Sequence, residues 1–167
     1  MIYVGTFSKV LAPGLRVGYV VSPPHLVPAF HAARSASSLG AEPQTPRILA
    51  DFIAEGYLAR HVRRTTGEYQ RRAEMLGNLL APFGGRLQIG PITGGIHLTV
   101  AADETLDDRA VAGAGRERGV VLHPLSLDCI ARTDVRGFAL GFAAAPCETI
   151  PDAFARLRDA LDAAVAT

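Results

Sequence analysis

Lysine is nearly missing from this chain: of its 17 basic side chains, 16 are arginine and one, Lys9, is lysine. Arginine can replace lysine in surface ion pairs and phosphate contacts, but a guanidinium stays protonated and cannot attack a carbonyl. A desolvated lysine can lose its proton and do so. A composition biased toward arginine explains why lysine is rare, not where the survivor sits. Cysteine is scarce too. Cys129 and Cys147 share no repeated spacing, which argues against a disulfide framework and against a thiolate metal site. The five histidines lack ligand spacing, so no metal is expected. No apolar run approaches the ~18 residues of a membrane-spanning helix, and the first residues lack a signal-peptide pattern. A cytoplasmic protein with no membrane role is expected. The formal net charge of +1 leaves no electrostatic case for nucleic-acid binding by this stretch.

With 49% hydrophobic and 20% charged residues, the 167-residue chain can bury a core. One residue precedes the β-rich run Ile2-Tyr3-Val4, and Lys9 follows almost at once. Enzymes seldom place a reactive lysine so close to a fraying end, so the C-terminal portion of a longer polypeptide is expected.

Two short strands are expected at the start, a buried one at Ile2 to Val4 and a second at Val17 to Val21, joined by a Pro-Gly loop. Helices are expected over His25 to Ala33 and from Thr45 to about Glu55, with a loop over Ser35 to Gly40 between them. A long helix follows, because Leu58, Val62, Thr65, Tyr69, Leu76 and Leu80 recur at helical steps. Arg60, Arg64 and Arg71 fall opposite and read as a solvated face. Pro82 and Gly84-Gly85 end it. Strands are expected at Leu87 to Ile89, Ile96 to Val100, Val120 to Leu122 and Phe138 to Phe142. Thr105 and Asp108 resemble a capping box for a helix to about Arg118. A terminal helix opens at Thr149 to Asp152, with Ile150, Phe154, Leu157 and Leu161 on one face. The fold class is α/β.

Around Lys9 stand Thr6 and Ser8, and Arg16 follows a Pro13-Gly14 turn. Hydroxyls and an arginine bind a phosphate monoester, the arginine in two-pronged fashion. An imine-forming lysine beside such a cradle describes a pyridoxal phosphate site. The segment Ser8-Lys9-Val10-Leu11-Ala12-Pro13-Gly14-Leu15-Arg16-Val17-Gly18-Tyr19 resembles the cofactor-lysine segment of fold type I pyridoxal-phosphate enzymes, the class I/II aminotransferases. It looks most like the aminotransferase-like domain of the MocR group of GntR-type transcriptional regulators, and also like the aromatic and 2-aminoadipate aminotransferase branch. Asp51 to Gly56, Arg60-His61-Val62-Arg63-Arg64, Tyr69 and Arg71-Arg72 are similar to the MocR group's long helix, and Leu140 to Ala143 to the family's last strand.

The resemblance implies the C-terminal part of a fold type I transferase. Residues 1–47 would be the remnant of the large cofactor-binding domain, 48–82 the connecting helices and 83–167 the small α/β domain. It implies that Lys9 is the catalytic residue, joined to pyridoxal 5'-phosphate as an aldimine, and that Thr6, Ser8 and Arg16 hold the phosphate. In a transaminase the freed lysine would also shuttle the α-proton. An amino acid, amine or cofactor-like small molecule would be the ligand, the assembly a homodimer, and DNA a partner only through a separate N-terminal domain. The family's aspartate for the pyridine nitrogen lies before the lysine segment. Many members also carry a substrate-carboxylate arginine where this chain has Ala139; Arg136 would reach that place only from a shifted strand.

The leading reading is the effector domain of a MocR-type regulator. The alternatives are part of a free-standing aminotransferase working on amino acid and 2-oxo acid pairs, or a truncated product without cofactor. Large-domain strands left without neighbours would make the isolated piece prone to aggregate. Other residues have ordinary readings: His97 as a partly buried strand histidine near the active site by resemblance, and His123 at a strand end. His61 is read as helix surface, Gln44 as a simple loop residue or, as the resemblance implies, one near a loop that approaches a partner's site, and Tyr69 as core.

Overall fold

A computed structural model describes residues 1–37, 44–92 and 94–165. The chain divides into two compact units, Met1–Arg64 and Thr65–Thr167.

In the first unit β1 (Tyr3–Thr6) pairs antiparallel with β2 (Gly18–Val21), Tyr3 opposite Val21 and Thr6 opposite Gly18. A short 3-10 turn at Pro24–Leu26 leads into α1 (Val27–Ser37), and α2 covers Gln44–Ala54. The expected loop over Ser35 to Gly40 is therefore partly helix, and residues 38–40 lie outside the described residues. The expectation of a buried first strand is corrected: Tyr3 is 57% exposed and Val4 71%. Among the described residues β1 pairs with β2 alone, and this two-stranded ribbon holds no fully buried residue. The helix α3 (Tyr57–Leu80) starts in this unit and runs into the second.

The second unit is a four-stranded antiparallel sheet backed by helices. Its strands, in spatial order β3 (Leu87–Ile89), β4 (His97–Ala102), β6 (Gly137–Gly141) and β5 (His123–Pro124), bury alternate residues. Leu98, Val100, Phe138 and Leu140 enter the core. They meet Ala73, Leu76 and Leu80 from α3, Val111 from α4 (Asp108–Glu117), and Phe154, Leu157 and Leu161 from α5 (Ile150–Val165). The strand expected at Val120 to Leu122 shifts to His123–Pro124. Pro124 has no N–H to give a further neighbour and so sits at the sheet edge. Gly137 has φ of 134°, and a Cβ there would lie 2.1 Å from the Val100 carbonyl oxygen, so a side chain is excluded where β6 enters the sheet.

The capping box is also corrected. Asp107 is the N-cap of α4, its carboxylate accepting from the backbone N–H groups of Arg109 and Ala110, both at 3.0 Å. Thr105 instead closes a turn on Asp103. Asp108, fully buried, accepts from Ser126 N at 3.1 Å, Ser126 Oγ at 2.7 Å and Gly137 N at 3.2 Å. One carboxylate thus joins the start of α4 to the segment after β5 and the start of β6. No helix among the described residues is long and apolar enough to cross a membrane.

In the loop before β6, hydrogen bonding from Arg132 holds the Asp134 carboxyl down to about 2. A folded-state value below the unfolded one favours the native state above the unfolded pKa, and that contribution is lost as pH falls through about 2. Both side chains are exposed to solvent, which keeps the gain small. An NMR titration should place the Asp134 midpoint near 2, and Arg132→Ala should return it toward the ordinary carboxylate range, ~3.9.

Candidate functional site

The four residues singled out around the lysine fall in one hairpin connection between β1 and β2. Beyond the Thr6–Gly18 pair a further bond runs from Phe7 N to Val17 O at 3.0 Å. Thr6 Oγ1 accepts from Ser8 N at 3.1 Å and donates to Val17 O at 3.4 Å, which closes the neck of the loop. The Phe7 carbonyl then accepts from Val10 N at 3.2 Å and Leu11 N at 2.8 Å, so Lys9 rides on a tight helix-like turn. Ser8 is half-buried; Thr6, Lys9 and Arg16 are exposed.

Pro13–Leu15 forms a 3-10 turn that ends at Arg16, whose φ of 52° and ψ of 28° are left-handed. Among the described residues it is the one non-glycine with positive φ. Such a conformation costs about 1–2 kcal/mol and persists where the surrounding chain dictates it. The turn therefore fixes the direction of the Arg16 Cα–Cβ bond.

Two features escaped the sequence reading. The first is Tyr19, whose ring lies across Gly5: a Cβ on Gly5 would come within 2.3 Å of Tyr19 Cζ. Its ring centroid is 5.5 Å from that of Phe7 and 6.0 Å from that of Tyr3. Hydrogen bonding with Tyr3, then the Tyr3 charge, then partial desolvation push the Tyr19 phenol above its ordinary value. The glycine was visible in the sequence; that an aromatic ring needs its vacant face was not.

The second is His61. The helix-surface reading is corrected, because His61 is half-buried and its Nε2 lies 2.9 Å from the Val10 carbonyl oxygen. A sequence signal existed: His61 stands three residues after Leu58 and four before Thr65, on the inward stripe.

The remaining residues of interest lie in the second unit. On the open face of its sheet His97 stands opposite Gly141, and Ala139 between Thr99 and His123. His97 is exposed rather than partly buried, since strand alternation turns it away from Leu98 and the core. His123 Nε2 lies 2.9 Å from the Asp128 carboxylate. The Arg136 guanidinium donates to the carbonyls of Thr133 and Val135 at 2.8 and 2.9 Å, so it is engaged within its own loop. Arg72, half-buried, donates to Glu68 and to the Ala143 carbonyl and lies 5.8 Å from the Tyr69 ring centroid. Hydrogen bonding from Arg72, foremost, holds the Glu68 carboxyl below its ordinary value. Tyr69 meets Phe142 edge-on at 6.4 Å, as a core residue should. Gln44 is the first residue of α2 rather than a loop residue. No group of three or more metal-ligating side chains occurs among the described residues.

As a donor set the hairpin offers two hydroxyls, one guanidinium and one primary amine. That combination suits a phosphate monoester carrying an aldehyde.

No family model matches the chain. Among curated proteins it is similar to the probable rhizopine catabolism regulatory protein MocR of Rhizobium meliloti, 34% identical over 166 residues, covering 96% of this chain and 33% of that protein. It is also similar to aromatic-amino-acid aminotransferase 1 of Thermococcus litoralis, 27% identical over 164 residues, covering 96% of this chain and 39% of that protein. Among solved structures it is similar to the multiple substrate aminotransferase of Thermococcus profundus, with a TM-score of 0.88 and 27% identity, covering 98% of this chain and 41% of that one. The chain spans about a third of the length of the curated regulators it matches.

Proposed function

From a chain that has the α/β fold of the C-terminal part of fold type I aminotransferases and is homologous to MocR/GntR-type regulators and to aminotransferases, we propose a pyridoxal-phosphate-binding module that serves as the effector domain of a MocR-type transcriptional regulator. The observation that carries it is the lone lysine, held on a turn whose neck Thr6 closes and whose far side ends in the constrained Arg16. The identity of 34% to a regulatory protein across 96% of the chain favours a regulator. The aminotransferase relatives are pyridoxal-phosphate-dependent.

In this reading Lys9 would be the covalent anchor, the Arg16 guanidinium and the Ser8 hydroxyl would hold the phosphate, and the Thr6 hydroxyl would join them by turning its proton away from the Val17 carbonyl. When bound, pyridoxal phosphate supplies an aldehyde that captures amines and a conjugated ring that withdraws electrons. Lys9 Nζ would hold a proton when free of the cofactor and pass it at the ligand's α-carbon. Position 139, where many members of the resembled family carry an arginine for the substrate carboxylate, is alanine in this chain, which suits a ligand held in another way. Residues 1–47 are assigned to a large cofactor domain, 48–82 to connecting helices and 83–167 to a small domain. A cytoplasmic homodimer with amino acid, amine or cofactor-like ligands completes the proposal, DNA being reached through a separate N-terminal domain.

The free-standing aminotransferase is the second reading, favoured by the TM-score of 0.88 to a solved one. Full-length protein loaded with pyridoxal phosphate and offered amino acids and amines separates the two. The effector reading expects a ligand-dependent spectral change without sustained release of 2-oxo acid. Steady turnover of an amino acid and 2-oxo acid pair would overturn it in favour of the enzyme.

A further inference from the structure

The peptide following Lys9 is fastened from outside its own loop. Residues 7–11 form a turn in which Val10 N and Leu11 N both donate to the Phe7 carbonyl. The i+3 bond that the Phe7 carbonyl makes with Val10 N has no counterpart at the Val10 carbonyl, because its i+3 residue is Pro13, which has no N–H to give. The acceptor is met instead by His61 Nε2, at 2.9 Å, from the second turn of α3. A carbonyl only accepts, so His61 carries its proton on Nε2 in this arrangement. His61 itself is half-buried at the helix position facing the loop.

We infer that His61 is a positioning residue for Lys9: its Nε2–H replaces the donor that Pro13 lacks and locks the peptide next to the reactive amine. This rests on the pyridoxal-phosphate reading for its consequence, though the brace itself does not. A lysine that must meet an aldehyde held at a fixed phosphate gains from a backbone that does not swing, since displacements near 1 Å can cost ~10²-fold in such reactions. The helix α3 thereby acts on the chemistry of the hairpin without touching the ligand.

The test uses the full chain with two substitutions. His61→Phe keeps an aromatic ring and removes the donor; His61→Gln keeps an N–H at similar reach. Amide hydrogen exchange at Val10 and Leu11 should quicken about 10-fold in His61→Phe, the worth of one net hydrogen bond, and stay near the parent rate in His61→Gln. The rate at which Lys9 captures added pyridoxal phosphate, read by borohydride trapping, should fall about 10-fold in His61→Phe and recover in His61→Gln. Unchanged exchange in His61→Phe overturns the brace. Quickened exchange with an unchanged capture rate overturns the positioning role, and so does a His61→Gln variant as slow as His61→Phe. A parent chain that captures no cofactor would refute the cofactor reading instead, and exchange alone would then decide whether the brace exists.

Discussion

Asp108→Ala lowers the unfolding free energy of the second unit by about 3–4 kcal/mol. The carboxylate is fully buried and accepts three hydrogen bonds, from Ser126 N, Ser126 Oγ and Gly137 N. Deleting it leaves donors without an acceptor, each costing ~1–3 kcal/mol, with water entering the vacated space to recover part of the sum. The damage is concentrated because the donors come from two different places, the turn after β5 and the entry to β6. Gly137 cannot shift to compensate, since its backbone passes too close to Val100 for any side chain. Asp108→Asn should fall between, about 1–2 kcal/mol, because an amide oxygen still accepts while its NH₂ faces donors. Chemical denaturation followed by circular dichroism checks both, and a loss under ~1 kcal/mol for the alanine variant would mean the carboxylate is replaceable.

Lys9→Arg removes the covalent capture of pyridoxal phosphate completely. The substitution keeps the positive charge and most of the length, so any loss isolates the nucleophilic amine. A guanidinium with pKa above ~12 has no free electron pair for the aldehyde at neutral pH. Cofactor retention through dialysis should drop by at least ~100-fold, because intramolecular capture at an oriented site is what holds it. Arg16→Ala should behave differently. It costs one charge-assisted contact, about 1.5–3 kcal/mol, so binding weakens roughly 10- to 100-fold while the adduct still forms at higher cofactor concentration. Loss of capture in one variant and weakened capture in the other would separate the anchor from the phosphate grip. Equal retention by Lys9→Arg and the parent would show that the amine is not the anchor.

Elements set by local periodicity could be read in advance. Ile150, Phe154, Leu157 and Leu161 were expected on one face of the last helix, and all are buried. The long helix was likewise visible in the spacing from Leu58 to Leu80, because amphipathic order at helical steps is a property of neighbouring residues. Features that depend on distant partners were not legible. Whether β1 is covered depends on which strands flank it, and Ile2-Tyr3-Val4 has the same composition either way. Three acidic residues at 103, 107 and 108 compete for the start of α4; only the packed structure separates the turn former, the cap and the buried acceptor. For the site, the donor types at Thr6, Ser8, Lys9 and Arg16 could be read from order alone. The contribution of His61 could not, because it needs the approach of α3 to a carbonyl left unpaired by Pro13.

The most direct test of the central claim is peptide mapping after borohydride reduction of the chain incubated with pyridoxal 5'-phosphate. The account predicts one phosphopyridoxyl group, on the peptide containing Lys9. Label confined to the N-terminal amine, or no label under conditions that load a known pyridoxal-phosphate protein, would contradict it.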